Sequence, residues 1–430
     1  MNISAGQITR DSYIGGLLLS NASYHRLSSP PDSRTQKLSS GPGTVLIVGG
    51  ELFNKGAQAM TYTVVSEISE RFPKKDICLM STRDFERPED ERDRYTFDIL
   101  PWSPDLRLSY LRGGGPLRRN TEYTTHTLSR VDDVIDSAEC IIDINGYALS
   151  SQRGTRRSLL YLLNIMIARE RGIPFYVFPQ SIGPFDYGLP ESPVMEALLK
   201  TYLPYPAWIF PREKSGVETV RRYRKTNVRH ELDIVLTHDY DLKYIFHDPP
   251  AVDVPTLPER SVGIVPNMRV AERMSDDEFQ TLYTQIVETL QELDRHPIII
   301  QHSVEDESLC NGIAELVDCD MTVVTGDKQP FELEKIIEQV DFLIGSRYHS
   351  IIHAYKQNVP AISIGWAEKY RALLEAGGDA DSAIDVRCNV EKNRLDKLLN
   401  DYSNKCGVKP SVLERNMSKI RDNRRIFCEL

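Results

Sequence analysis

At 430 residues the chain is too long for one ordinary hydrophobic core, and its 27% charged and 40% hydrophobic content fits a folded, water-soluble protein of two domains. A formal net charge of -10 excludes a general nucleic-acid binder, which needs a basic face for the phosphates. The seven cysteines are scattered, odd in number and form no CxxC pair, which argues against a disulfide framework or a zinc knuckle and suits a reducing, cytoplasmic setting.

Residues 1–43 are rich in Ser, Gly and Pro, show little periodicity, and read as a mobile N-terminal tail. Regular alternation begins at Thr44. A β-branched run over 45–48 ends in Gly49-Gly50, a helical pattern follows over 57–72, and a second strand over 77–80. Residues 83–125 are polar and Arg-rich, contain Gly113-Gly-Gly-Pro116, and read as a long irregular segment, a lid or an acceptor-binding loop. Strands over 140–144, 174–178, 208–210 and 229–235 complete this half. Helices over 155–171, stopped by Gly172, and from Glu213 lie between them. The apolar stretch over 159–168 is too short to cross a bilayer and belongs to a buried helix.

Proline-punctuated residues 241–260 read as a linker. A second series then gives strands over 262–265, 297–301, 322–324, 342–344 and 361–364. Its helices span 276–293, with Ser275 as the cap, and 332–340. The tail from Val390 is charged and helical, and can cross back onto the first half. The expected organisation is α/β, with two doubly wound, Rossmann-like domains (44–240 and 261–405) facing across a cleft, and a closing helix over 406–430.

Ligands in such sheets sit at the carboxyl ends of the strands, so the loops there carry the functional reading. Asp341-Phe-Leu-Ile-Gly-Ser-Arg-Tyr-His349 is the most informative. A buried strand, a Gly-Ser turn and a helix start bring Arg347 and His349 to a positive helix end, suited to an anion that needs a proton moved. Four further loops follow strands: Gly49 to Gln58 with Asn54, Asp143-Ile-Asn-Gly-Tyr147 with Arg153, Arg156 and Arg157 behind it, Pro179-Gln-Ser-Ile-Gly-Pro184, and Pro211-Arg-Glu-Lys-Ser-Gly216. The first lacks the order of a P-loop and of GxGxxG. The arginines after Tyr147 suit an anionic acceptor or simply a solvated helix start. His349 and His353 have metal-ligand spacing, but no third ligand is evident, so no metal is expected and His353 reads as a packing residue.

Taken together, these loops resemble the polysaccharide pyruvyltransferase family over about residues 44 to 375. The carriers are Asn54-Lys-Gly-Ala-Gln58, Asn145-Gly146, Gln180-Ser-Ile-Gly-Pro184, Arg212-Glu-Lys-Ser215, Ser346-Arg-Tyr-His349, Val359-Pro-Ala-Ile-Ser363 and Lys369. Two departures stand out. Gly56-Ala-Gln58 replaces the Gly-Asp-Glu of many members, and Asp233-Ile234 replaces Asp-Pro, a change expected to affect the linker more than the chemistry.

The resemblance implies a GT-B-like fold and transfer of the enolpyruvyl carbons of phosphoenolpyruvate to a sugar diol, without a separate cofactor. It also implies that Arg212, Arg347 and Lys369 hold the donor, that His349 gives the proton, and that Asn54, Asn145 and Gln180 meet the acceptor. Arg forks suit both anionic groups of that donor. Nearby cations should lower the His349 pKa and bound phosphate should raise it. The rival readings are a nucleotide-sugar glycosyltransferase, with the same cations on a diphosphate and Glu368 on a ribose, and a non-catalytic sugar- or phosphate-binding protein. A lipid-linked oligosaccharide acceptor would bring the chain to the inner face of the membrane, where the basic clusters Arg221-Arg-Tyr-Arg-Lys225 and Arg118-Arg119 would meet anionic lipid. Oligomeric state and the identity of the sugar are not legible.

Overall fold

Twelve short strands carry the architecture, and most are buried along nearly their whole length because both faces of each sheet are covered. The computed structural model describes residues 37–110, 122–317, 321–388, 392–404, 410–422 and 425–430, together with Gly15 and Gly16. The first sheet contains β1 (Gly43–Val48), β2 (Lys75–Met80), β3 (Asp98–Leu100), β4 (Ala138–Asp143), β5 (Phe175–Gln180) and β6 (Trp208–Pro211). The second contains β7 (Ser261–Val265), β8 (His296–Ile300), β9 (Thr322–Val324), β10 (Phe342–Gly345), β11 (Ala361–Gly365) and β12 (Ala383–Asp385). Every pairing is parallel.

The orders are β3-β2-β1-β4-β5-β6 and β9-β8-β7-β10-β11-β12, so the two sheets share one topology. Each reverses direction once, between β1 and β4 and between β7 and β10. That reversal opens a crevice beyond the strand ends, where doubly wound sheets take their ligands. The expected fold class is therefore the observed one.

Local signals explain the helices. Asn54 caps the Lys55–Arg71 helix through its side-chain oxygen, and Ser275 with Glu278 forms a capping box before Asp276–Glu292. Gly172, with φ +69°, ends the Thr155–Arg171 helix. Pro330 opens the Pro330–Ile337 helix, which stops before the expected Val340. One apolar cluster joins the inner faces of both sheets, with Ile47, Ile142, Ile300 and Leu343 in it. Two further clusters fill the outer faces.

Two expectations fail. Residues 83–110 are not irregular: they hold the short helices Thr82–Phe85, Glu89–Arg92 and Pro104–Tyr110, and the edge strand β3, each too short to show a period. The strand over 229–235 does not form. Val228 makes one isolated bridge to Ile209, and Asp233 then caps the single turn Ile234–Thr237 by accepting from the Val235 N–H at 3.0 Å.

The end of the chain does cross back. Phe427 packs edge-on against Phe178 with ring centroids 5.1 Å apart, and Glu429 pairs with Arg229 at 2.7 Å. Most of the tail expected over 1–43, and the Gly113 to Pro116 and Arg118-Arg119 stretches, lie outside the described residues. Among the described residues no helix is long and apolar enough to cross a membrane.

Candidate active site

The switch points of the two sheets face each other across a cavity of about 490 Å³. Asn54, Asn145, Arg212, Arg347, His349 and Lys369 all line it, so six of the seven residues singled out in the sequence are brought together. Gln180 is not: it is fully buried at the end of β5, where its Nε2 donates to Asp143 Oδ1 at 3.0 Å. It stands behind the cavity wall, supporting the loop after β4. Asp143 accepts from the Asn145 N–H at 3.1 Å and from Asn145 Nδ2 at 2.9 Å. Burial pushes the Asp143 carboxyl up to about 6, against the pull of these donors.

The loop after β1 is shaped by close approach. Gly49 has φ +76°, and a Cβ there would lie 2.3 Å from Asn145 Nδ2. A Cβ on Gly56 would lie 2.0 Å from His349 Nδ1, so the imidazole rests on bare backbone of the first helical turn. Asn54 Oδ1 accepts from the Gly56 and Ala57 N–H groups at 3.0 and 3.3 Å, which commits that oxygen to the helix cap. Gln58 is buried. Its Nε2 donates to Tyr62 Oη at 2.8 Å and to Gln329 Oε1 at 2.7 Å, tying the first sheet's helix to the second half instead of reaching an acceptor. Lys55 forms an ion pair with Asp327 from the same opposing loop.

Arg212 and Arg347 are both committed to carboxylates. Arg212 is 4% exposed; it pairs with Asp233, and its Nη2 donates to the Gly146 carbonyl at 2.7 Å and Ser181 Oγ at 3.1 Å. Burial works against its charge, and Tyr348, Asp233 and Glu213 more than offset it. Arg347 forks onto Asp306 through Nε (2.7 Å) and Nη2 (2.6 Å), with Nη2 also reaching Glu305 at 2.6 Å. Each keeps a donor in reserve. Arg212 Nε is buried without a partner, and Arg347 Nη1 makes no hydrogen bond among the described residues.

Lys369 has no carboxylate within ion-pair distance among the described residues. It lies 4.9 Å from the Tyr348 ring centroid, on the same ring that takes the Arg212 guanidinium at 4.7 Å. Burial, and then Arg212, push its ammonium down to about 8.

Asp233 is the residue the sequence reading missed. It is 1% exposed, and its Oδ2 pairs with Arg212 and stands 3.5 Å from His349 Nε2. Burial would raise its carboxyl; Arg212 and His349 hold it well below the usual range. His349 is held below its ordinary value, chiefly by burial and then by Arg212 and Lys369, while Asp233 pulls the other way. His353 is fully buried beside His302, ring centroids 5.2 Å apart, and does not line the cavity. Among the described residues no group of three or more His, Cys, Asp or Glu side chains is placed to hold a metal. Of the basic run at 221–225, Arg224 is buried against the Pro206 carbonyl, which leaves Arg221, Arg222 and Lys225 exposed.

Known proteins bear on this arrangement at two levels. In fold, the chain is similar to the glycotransferase of kitacinnamycin, with 13% identity, TM-score 0.53, and 90% of this chain and 96% of that one covered. It is similar also to Medicago truncatula UGT71G1 solved with UDP-glucose (9% identity, TM-score 0.50, 89% and 95% covered) and to spinosyn rhamnosyltransferase with thymidine diphosphate (10%, 0.50, 88% and 96%). These likenesses show a GT-B-like fold. No curated protein matches significantly. The family model for polysaccharide pyruvyl transferase matches residues 54–368, a span that runs from the Asn54 cap through β10 to the start of the Glu368–Gly377 helix. The chain belongs to the polysaccharide pyruvyl transferase family, enzymes that transfer a pyruvyl group to a polysaccharide.

Proposed function

We propose that the enzyme takes phosphoenolpyruvate as donor and converts a sugar diol of a glycan into a pyruvate ketal, releasing phosphate. The observation that carries this reading is the pairing of His349 with Asp233 at 3.5 Å beside Lys369, Arg212 and Arg347, in one cavity. The donor brings a carboxylate and a phosphate. Lys369 supplies charge that no described carboxylate neutralises, while Arg212 and Arg347 offer their remaining N–H edges.

Protonation of the methylene carbon makes it a methyl group and leaves the adjacent carbon electron-poor. One hydroxyl adds there and loses its proton. The bond from that carbon to the phosphate oxygen then breaks, phosphate departs with the electron pair, and the second hydroxyl adds and loses its proton. His349 is proposed to give the first proton, and once neutral it can take one from a hydroxyl. Asn54 and Asn145 line the same cavity and are proposed to meet the acceptor. A lipid-linked acceptor at the inner membrane face remains part of this proposal; the exposed Arg221, Arg222 and Lys225 would support such contact.

The test is incubation with phosphoenolpyruvate and a panel of glycans, followed by free phosphate and the mass gain of a ketal. His349→Ala should lower turnover by roughly two to four powers of ten while phosphoenolpyruvate still binds. Turnover of nucleotide sugars with phosphoenolpyruvate untouched would overturn the reading.

A further inference from the structure

Eight cations line the cavity: Lys55, Arg83, Arg153, Arg157, Arg212, Arg269, Arg347 and Lys369. Only two acids, Glu51 and Glu305, do so. Four of the eight are matched by carboxylates: Lys55 by Asp327, Arg212 by Asp233, Arg269 by Glu272, and Arg347 by Glu305 and Asp306. Lys369 stands at the floor beside His349. Arg83, Arg153 and Arg157 remain, and none has a carboxylate within ion-pair distance among the described residues.

These three share a location. Arg83 follows β2, and Arg153 and Arg157 follow β4, all at the carboxyl edge of the first sheet and on the opposite side of the cleft from the Arg347 loop. Arg83 lies 3.9 Å from the Phe53 ring centroid and Arg153 lies 5.8 Å from that of Tyr147, so aromatic faces hold both guanidiniums without neutralising them. Arg83 and Arg157 are exposed and Arg153 half-buried, which places them towards the mouth, whereas the proposed donor cations are buried or half-buried. Glu51 is the carboxylate that feels Arg83 and Arg157, and one acid against three guanidiniums leaves the mouth with a net positive field that favours an anion.

We infer that Arg83, Arg153 and Arg157 form an anion subsite for the acceptor, so that the enzyme selects a saccharide bearing its own phosphate, diphosphate or carboxylate. This rests on the pyruvyl-transfer reading and adds a substrate class to it. A uronate in the glycan and a diphosphate link to a lipid present the same chemistry to an Arg fork.

Binding of matched neutral hexoses, hexuronates and hexose 1-phosphates of glucose, galactose and mannose is measured by ligand-observed NMR, with and without saturating phosphoenolpyruvate. At least one anionic sugar should bind better than its neutral parent, and phosphoenolpyruvate should not displace it. Preference for the hexuronate points to an acidic glycan, and preference for the phosphate to a diphosphate-linked one. The triple variant R83Q/R153Q/R157Q should lose the preference by about tenfold or more, with phosphoenolpyruvate affinity held within about twofold. Arg157→Gln alone, at an exposed position, should lose about two- to fivefold, which guards against misfolding of the triple variant. Displacement by phosphoenolpyruvate, an equal loss of donor affinity, or no preference for any anionic sugar overturns the inference. If phosphoenolpyruvate itself does not bind, the pyruvyl-transfer reading fails separately and the sugar series still decides the subsite.

Discussion

Asp233→Asn tests the site most directly, because one buried carboxylate faces both the Arg212 guanidinium and the His349 imidazole. Its Oδ2 stands 3.5 Å from His349 Nε2 and pairs with Arg212. At an effective dielectric of about 20, opposite charges at that separation attract by about 5 kcal/mol, which is an upper figure for what Asp233 gives the imidazolium. Asparagine keeps the shape and removes the charge. Two effects should follow. Arg212 is left buried and unpaired, so the fold should lose about 3 to 5 kcal/mol, a large part of the stability of an ordinary domain. His349 loses the group that favours its protonated form, so its pKa should fall further below the ordinary value. If the imidazolium is the proton donor, kcat falls as pH rises through the His349 pKa in the substrate complex, and the variant should move that falling limb to lower pH. The assay is phosphate release from phosphoenolpyruvate across pH at saturating acceptor, paired with urea unfolding of the same samples. An unmoved kcat limb in a variant that has lost stability would show that Asp233 holds the fold and does not set the proton on His349.

Lys369, pushed down to about 8, should lose its charge as pH rises through that value in the free enzyme, so phosphoenolpyruvate affinity should weaken over the same range. Lys369→Met should flatten that dependence, and a donor Kd from pH 7 to 9 that slopes equally in both proteins would remove Lys369 from the donor site. Gly56→Ala should displace the His349 ring, since the added carbon would lie 2.0 Å from Nδ1, and lower kcat about a hundredfold with little change in donor Kd. Wild-type kcat in that variant would mean the ring position is not critical. Burial holds His302, His349 and His353 below the ordinary imidazole range. The unfolded chain therefore binds protons that the fold refuses once pH falls below about 6.5, and each histidine should cost up to about 1.4 kcal/mol per pH unit in that window. Their contribution is fully present above it. Urea midpoints from pH 7.5 to 6 should drop in the wild type and drop less in His353→Phe; equal slopes would contradict this.

The fold was largely legible because parallel strands covered on both faces leave short apolar runs, and these recur with helices between them. The strand-turn-helix at Phe342 to Ser350 was readable for the same reason: its Gly-Ser turn and its cationic helix start are local. Three things were not local. β3 has only three residues, below any period. Gln180 sits at a strand end between Pro179 and Ser181, and nothing in that segment tells which way its side chain turns; the answer is Asp143, on the adjacent strand. Asp233 lies inside the segment expected to form a strand, and Ile234 after it, in place of the family's Pro, points to the linker rather than to the site. Its value comes from partners at Arg212 and His349, which only the assembled sheets bring to it.

The contacts that join the two sheets are also the contacts that build the site. Lys55 meets Asp327, Gln58 meets Gln329, Ser215 meets Glu368 at 3.3 Å, and Gly56 supports His349. Asp233 closes the first half of the chain, and His349 begins a helix on the second sheet. Their pairing therefore exists only while the sheets stand together. An open cleft would leave His349 without the carboxylate that favours its charge and without the glycine that fixes its ring, and would leave Lys369 away from the Arg212 that lowers its pKa. Under the proposed function, the proton donor His349 and the donor-binding Lys369 would thus both depend on the two sheets standing as they do here, so that binding energy which favours this arrangement would also favour the armed acid. Gln58 and Gln329 are neutral, and their hydrogen bond links the two halves without adding charge to a cavity already rich in cations.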